Sequence, residues 1–293
     1  MLLTGAFFFI FLRKIYMNKN LFYLLPIFVL LFSCRNNDSE PRETLIREAN
    51  LTFNPPKNAS NSDLFYYYNF KYDTNNRLVE RIGAPIMDPS GKIITFTYKI
   101  STTIEYGNKS ASIKESSTEL IVSKDIKENL IFNESNQIIE RNIINETFPK
   151  LNKKTKYFYN GKLLVKTETT FPNNIFNPER PYDYIETIIE KFAYDPNENL
   201  QNIITTRLIT NGMESTTQVY EKQFGNYDTS RNPFKKLNVL NDYLERSLSR
   251  NNFRYMAVIY YTSNSKQLIS ETEWNFNYDS NGNIISSNSI TLE

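Results

Sequence analysis

The stretch "YDTNNRL", residues 72–78, returns as "FNESNQI" at 132–138, "YDPNENL" at 194–200 and "YDSNGNI" at 278–284. In each copy an aromatic residue precedes Asp or Asn, and Leu or Ile stands six positions after the aromatic. An Asx side chain in first place accepts hydrogen bonds from the turn's own backbone, and Pro196 stands where proline favours a type I turn. The fourth turn position needs a left-handed residue. Asn76, Asn136 and Gly282 suit it, and Glu198 suits it poorly. A type I turn followed by a left-handed residue is the three-residue β-hairpin connection, so the aromatic and the returning Leu or Ile meet across two strands.

Looser copies extend the series. "YNGKLL" begins at Tyr159 with an Asn160-Gly161 turn, "EYGNKSASI" surrounds Tyr106, and "GNYDTSRNPF" surrounds Tyr227. Aromatics at 72, 106, 132, 159, 194 and 227 lie roughly thirty residues apart, the length of one hairpin unit. Between the turns the hydrophobic pattern has period two. Ile94, Phe96, Tyr98, Ile100, Thr102, Ile104 and Tyr106 share one face, and polar residues take the other. Tyr66, Tyr68, Phe70 and Tyr72 form a second stripe, and Thr272, Trp274, Phe276 and Tyr278 a third.

With 20 Tyr, 21 Phe and 8 Gly, the chain is expected to be all-β: an antiparallel meander of long hairpins forming a curved sheet or incomplete barrel. One segment departs from this. Asn232-Pro233, then Phe234, Leu237, Leu240, Leu244 and Leu248, predicts a helix over 233–249 that covers an open end or edge. The longer connections at 83–92, 145–154 and 171–181 are the candidates for function on loops.

The N-terminal region reads as a targeting segment. From Met17, Lys19 precedes an apolar run, Leu21–Phe32, that ends in Leu31-Phe32-Ser33-Cys34. The run has the length and order of a secretory signal. Its last four residues resemble the lipobox of bacterial lipoproteins, which implies lipidation of Cys34, the sole cysteine. Residues 1–33 are then a signal peptide, with Met17 an alternative start, 34–60 a flexible tether and 61–293 one repeat domain. Arg35, where an inner-membrane retention signal would carry aspartate, implies the outer membrane; the leaflet stays open.

The Tyr-Asp copies resemble those of Rhs-type shell proteins. Lipobox, hairpins and "YDTSRNPFKKL" at 227–237 together are more similar to a bacterial lipoprotein family of unknown function with a porin-like, incomplete-barrel fold. That resemblance implies a fold and transfers no catalytic residue.

Composition narrows the chemistry. With no histidine and one cysteine, imidazole-based catalysis and His or multi-Cys metal ligation are excluded. No Gly-rich phosphate loop is present. Arg13, Lys14 and Lys19 fall in the removed segment, which leaves a nearly neutral chain with no support for nucleic-acid binding. Asp279 could open a calcium loop, but the twelfth residue, Ile290, is no bidentate acid. No metal or cofactor is expected. The negative mean hydropathy and charged strand faces disfavour a membrane-spanning barrel.

The expected function is a non-enzymatic envelope lipoprotein that binds a ligand or glycan, or scaffolds a partner, with Trp274 and the aromatic stripes read as core. Two alternatives remain. One is a hydrolase using Glu186 with Glu190, or Glu271 with Glu273. The other is a structural protein with no small ligand. Oligomeric state and partner are open.

Overall fold

The computed structural model describes residues 45–46, 48–53, 64–87, 93–117, 126–146, 149, 152–171, 184–211, 214–263, 265–278 and 284–292. The chain divides into two compact units, Met1–Glu43 and Thr44–Glu293, and the described residues belong to the second. The signal segment, Cys34 and the Asp279–Asn283 turn lie outside the described residues, as do 88–92 and 172–183 of the long connections.

Among the described residues there are fifteen strands. They are β1 (Glu48–Phe53), β2 (Leu64–Tyr72), β3 (Leu78–Met87), β4 (Ile93–Tyr106), β5 (Ser110–Ser117), β6 (Ile126–Phe132), β7 (Ile138–Asn145), β8 (Lys153–Asn160), β9 (Leu163–Phe171), β10 (Tyr184–Tyr194), β11 (Leu200–Asn211), β12 (Glu214–Gly225), β13 (Tyr255–Tyr261), β14 (Lys266–Tyr278) and β15 (Ile284–Leu292). Each strand pairs with its chain neighbours, the antiparallel meander that the hairpin series predicts. β1 also pairs with β15 through Leu51–Ser287 and Thr52–Asn288, closing the sheet into a ring. An antiparallel meander with an odd number of strands starts and ends in the same direction, so this seam has to be parallel. β1 falls within the stretch read as tether. Its apolar pattern spans only Ala49, Leu51 and Phe53, too short to register as a strand by periodicity.

The turn chemistry of the repeat holds in the three described copies of the Asx turn. Asp73 Oδ1 accepts from the N–H groups of Asn75 and Arg77, each at 2.9 Å. Asn133 Oδ1 does the same with Ser135 and Gln137, and Asp195 Oδ1 accepts from Asn199 at 2.7 Å. Asn76, Asn136 and Glu198 all take positive φ. The Tyr159 copy differs from expectation in one detail: Asn160 pairs with Leu163, so the connection is Gly161-Lys162, with Gly161 at φ 58°.

Aromatic and return residue meet as register partners: Tyr72 with Leu78, Phe132 with Ile138, Tyr159 with Leu164, Tyr194 with Leu200 and Tyr278 with Ile284. Tyrosine hydroxyls then tie several units to the one before. Tyr106 donates to the Leu78 carbonyl at 3.0 Å, Tyr194 to Leu164 at 2.9 Å, and Tyr227 to Leu200. Tyr72 closes the series on Ile46 at 2.8 Å. The spacing of about thirty residues is therefore one turn-to-turn step around the ring. Burial keeps these hydroxyls protonated and pushes Tyr106 up to about 12.

Glu198 is the misfit that the turn pattern picked out. It sits at φ 65°, where a side chain with a Cβ is strained. An ion pair from Lys162 at 2.7 Å holds the carboxylate. Glu198→Gly removes the strain and is expected to raise Tm by about 2–4 °C in differential scanning calorimetry; Glu198→Val is expected to lower it.

The segment after β12 enters the ring. Asn232 caps it as expected, accepting from Phe234 N–H at 2.9 Å, with Pro233 at the first helical position. The helix is broken, however, into 3-10 turns at Pro233–Leu237 and Asn241–Tyr243 and a single α turn, α1 (Leu244–Leu248). Phe234, Leu237, Leu240 and Tyr243 are all buried and recur every third residue, which is the 3-10 period and not 3.6. They pack with the return residues Leu78, Ile138, Leu164 and Leu200, and with Leu130 of β6, in one core. The segment thus plugs the tight-turn end of the barrel from within. It is stitched there by Arg250 N–H to the Glu198 carbonyl and Asn251 N–H to Asn199 Oδ1.

Candidate functional site

After each return residue the strand carries one extra residue. Tyr72 opposes Leu78 while Lys71 opposes Glu80, leaving Val79 unpaired; Ile139, Val165, Gln201 and Ile285 are the equivalents. Such a bulge re-aims the strand, so the residue three positions on, and not two, joins the return residue on the inner face. Leu78 and Arg81, Ile138 and Arg141, Leu164 and Thr167, and Leu200 and Ile203 are accordingly buried in pairs. The bulge carries two arginines into the barrel directly above the plug.

Arg141 is 1% exposed. Its Nε donates to Tyr157 Oη at 2.9 Å, Nη1 to Glu128, and Nη2 to the Val239 carbonyl of the plug at 3.0 Å. Burial raises the Glu128 carboxyl above its ordinary value, against the opposing pull of Arg141. Arg81 donates from Nη1 to Asp242 of the plug at 2.5 Å and from Nη2 to Thr102 at 3.0 Å. Burial pulls Arg81 down, but Asp242 outweighs it and the guanidinium stays charged.

Between these pairs lies a cavity of about 380 Å³. Leu240 and Asp242 form its floor, and its wall mixes Glu128, Asn145 and Lys153 with Ile113, Ile143 and Phe171. The Asp242 side chain is 61% exposed, so it is the accessible acceptor at the floor.

The carboxylates that the sequence picked out do not line this cavity. Glu186 and Glu190 do share a strand face, but they stand four residues apart, about 13 Å along β10. That is wider than the pair of a glycosidase. Both are engaged, Glu186 by Arg207 at 2.6 Å and Glu190 by Thr167 Oγ1 at 2.7 Å. Glu271 lies opposite Ala257 and Glu273 opposite Tyr255, on the face turned away from the inward Trp274 and Phe276. Trp274 packs on Phe253 at 5.6 Å, as core. Among the described residues no group of three or more metal-ligating side chains occurs.

The outer face is charged along its height on one side. Lys71 pairs with Glu80, Lys114 with Glu105, Lys127 with Glu146 and Lys154 with Glu140. Beside these pairs Ile131, Ile139, Ile144 and Phe158 are exposed; a lipid-facing wall would need an apolar band about 25 Å tall.

No protein-family model matches the sequence, and no curated protein matches it. Solved structures do. A porin-like protein from Bacteroides uniformis matches with a TM-score of 0.50 at 9% identity, over 83% of this chain and 87% of its own. A porin-like protein from Bacteroides vulgatus matches at 0.49 and 12%, over 84% and 92%. The chain therefore has a porin-like fold, as the sequence resemblance implied, and at such identity the likeness concerns the fold alone.

Proposed function

We propose that the protein is an envelope lipoprotein, anchored through Cys34, whose barrel is a blind cup that binds a neutral polyhydroxylated ligand, a saccharide, above the plug. The observation that carries this reading is the cavity on the plug. Its one arginine, Arg81, is paired with Asp242, its Glu128 is paired with Arg141 behind the wall, and hydrogen-bonding groups alternate with apolar wall. A ring with hydroxyl edges and C–H faces fits such a lining, and the volume is that of a small-ligand site. The charged exterior favours a barrel standing in water on a tether over one embedded in lipid.

The test is calorimetric titration of the mature protein carrying Cys34→Ala with a panel of envelope and dietary glycans. At least one is expected to bind, and Phe171→Ala is expected to weaken it about tenfold, roughly 1.4 kcal/mol. Absence of binding across the panel would favour the scaffolding role. Turnover of a panel member that is lost in Glu128→Gln would establish a hydrolase instead.

A further inference from the structure

The barrel has a second inner wall that continues from the cavity. Lys222 of β12 donates to Glu245 of α1, so this face of β12 looks onto the plug. Two and four residues further from the plug, Tyr220 and Gln218 share that face. Register partners carry it across the sheet: Tyr260 stands opposite Tyr220, and Arg207 opposite Gln218. Glu186, which pairs with Arg207, stands opposite Phe171, and Phe171 lines the cavity. The wall from Phe171 to Tyr260 therefore crosses the adjacent strands β9 to β13, about 19 Å at the usual strand spacing.

This wall meets water although it faces inward. The Arg207 side chain is 39% exposed and that of Glu186 24%, and Tyr220 and Tyr260 are half-buried. The layer nearer the plug, with Leu164, Leu200 and Ile203, excludes water as a core does. The groups of the wall hold one another in place. Arg207 clasps Glu186 with two bonds, Nε to Oε1 at 2.6 Å and Nη2 to Oε2 at 3.1 Å. The Tyr220 hydroxyl donates to Gln218 Oε1 at 3.3 Å. The Tyr220 and Tyr260 rings lie 4.9 Å apart, tilted by 36°. The inward cations of β10–β13, Arg207 and Lys222, are each matched by a carboxylate, so an anionic ligand finds no spare cation on these strands. The wall offers two aromatic faces beside a fixed set of hydrogen-bonding groups.

We infer that this wall is a second sugar subsite, with Tyr220 and Tyr260 taking the C–H face of a sugar ring and Glu186, Arg207 and Gln218 its hydroxyls. The ligand is then a neutral oligosaccharide that reaches from the plug cavity to β13. The inference rests on saccharide binding in that cavity. A wall of about 19 Å is several times the width of one sugar ring, so added units gain contact until the wall is covered.

The test is calorimetric titration of the mature protein carrying Cys34→Ala with fragments of starch, cellulose and chitin, one to six units long. In a series that binds, affinity is expected to rise about tenfold or more from one unit to the longest. Tyr260→Leu is expected to bring the longest fragment down to the affinity of a single unit. Tyr260→Phe keeps the ring face and should retain the gain. A second readout needs no variant: six-unit fragments should shield Tyr220 and Tyr260 from nitration by tetranitromethane, mapped by peptide mass spectrometry, and single units should not. Affinity independent of length, a length gain that survives Tyr260→Leu, or no shielding of the two tyrosines overturns the subsite and leaves the cavity reading in place. Failure of every fragment, short and long, to bind overturns the cavity reading and the subsite with it.

Discussion

Arg141→Ala is expected to cost about 3–5 kcal/mol of folding stability, the range for removing one partner of a buried ion pair. Three bonds are lost together: to Glu128, to the Tyr157 hydroxyl and to the Val239 carbonyl. Two of these join neighbouring strands and the third holds the plug, so wall and floor loosen at once. The larger part of the cost is the carboxylate left behind. Glu128 is already held above its ordinary 4.5 by burial, with Arg141 as the group that opposes the rise. A carboxyl raised in the folded state contributes stability that is present below its ordinary value and is lost as pH rises through the folded one. Without Arg141 the rise is larger, so the penalty should be small in acid and grow toward neutrality. Urea denaturation of Arg141→Ala and of Arg141→Ala with Glu128→Gln checks this. The double variant should recover much of the loss and flatten the pH dependence.

Arg246→Ala is expected to release the plug, at a cost of about 3–5 kcal/mol for emptying a large site packed among four aromatic rings. The guanidinium of Arg246 lies 4.2 Å from the Phe253 ring centroid, 4.3 Å from Trp274, 5.1 Å from Phe276 and 5.4 Å from Phe234. Its Nη1 donates to the Phe253 carbonyl at 3.2 Å. Phe234 belongs to the plug, while Trp274 and Phe276 belong to β14, so one side chain clamps the inserted segment to the barrel wall. Burial pulls this guanidinium down to about 9. Arg246→Met keeps most of the packing and discards the desolvated charge, so it should cost about 1.5 kcal/mol or less. Trp274 is the sole tryptophan. Its emission should shift to the red in the alanine variant before global unfolding and stay unchanged in the methionine variant.

The fold was largely legible because each repeat states its turn in local chemistry. An Asx oxygen, a left-handed residue and an apolar return require nothing beyond seven residues. The plug was half legible. Asn232-Pro233 announces its start, but period three in Phe234, Leu237, Leu240 and Tyr243 is easily taken for 3.6 over so short a run. The cavity was not legible, and the reason is the bulge. Strict alternation from Leu78 puts Glu80 inside and Arg81 outside; the unpaired Val79 reverses them. The signal was nonetheless present, since "LVER" at 78–81 and "IIER" at 138–141 place arginine at the same point of two repeats. Read with the bulge, that coincidence marks the inner layer. Glu128 and Asp242 carry no such mark, because their roles come from partners distant in sequence.

On the proposed reading the porin-like fold holds no open pore. Val239, Leu240 and Tyr243 occupy the interior where a channel would run, and Lys114, Lys127 and Lys154 stand on a wall that lipid would have to cover. The most direct measurement is ion conductance across a planar bilayer after adding the lipidated protein. A blind cup standing outside the bilayer leaves the current at baseline at every voltage. Stable, stepwise conductance that scales with the added protein would contradict it.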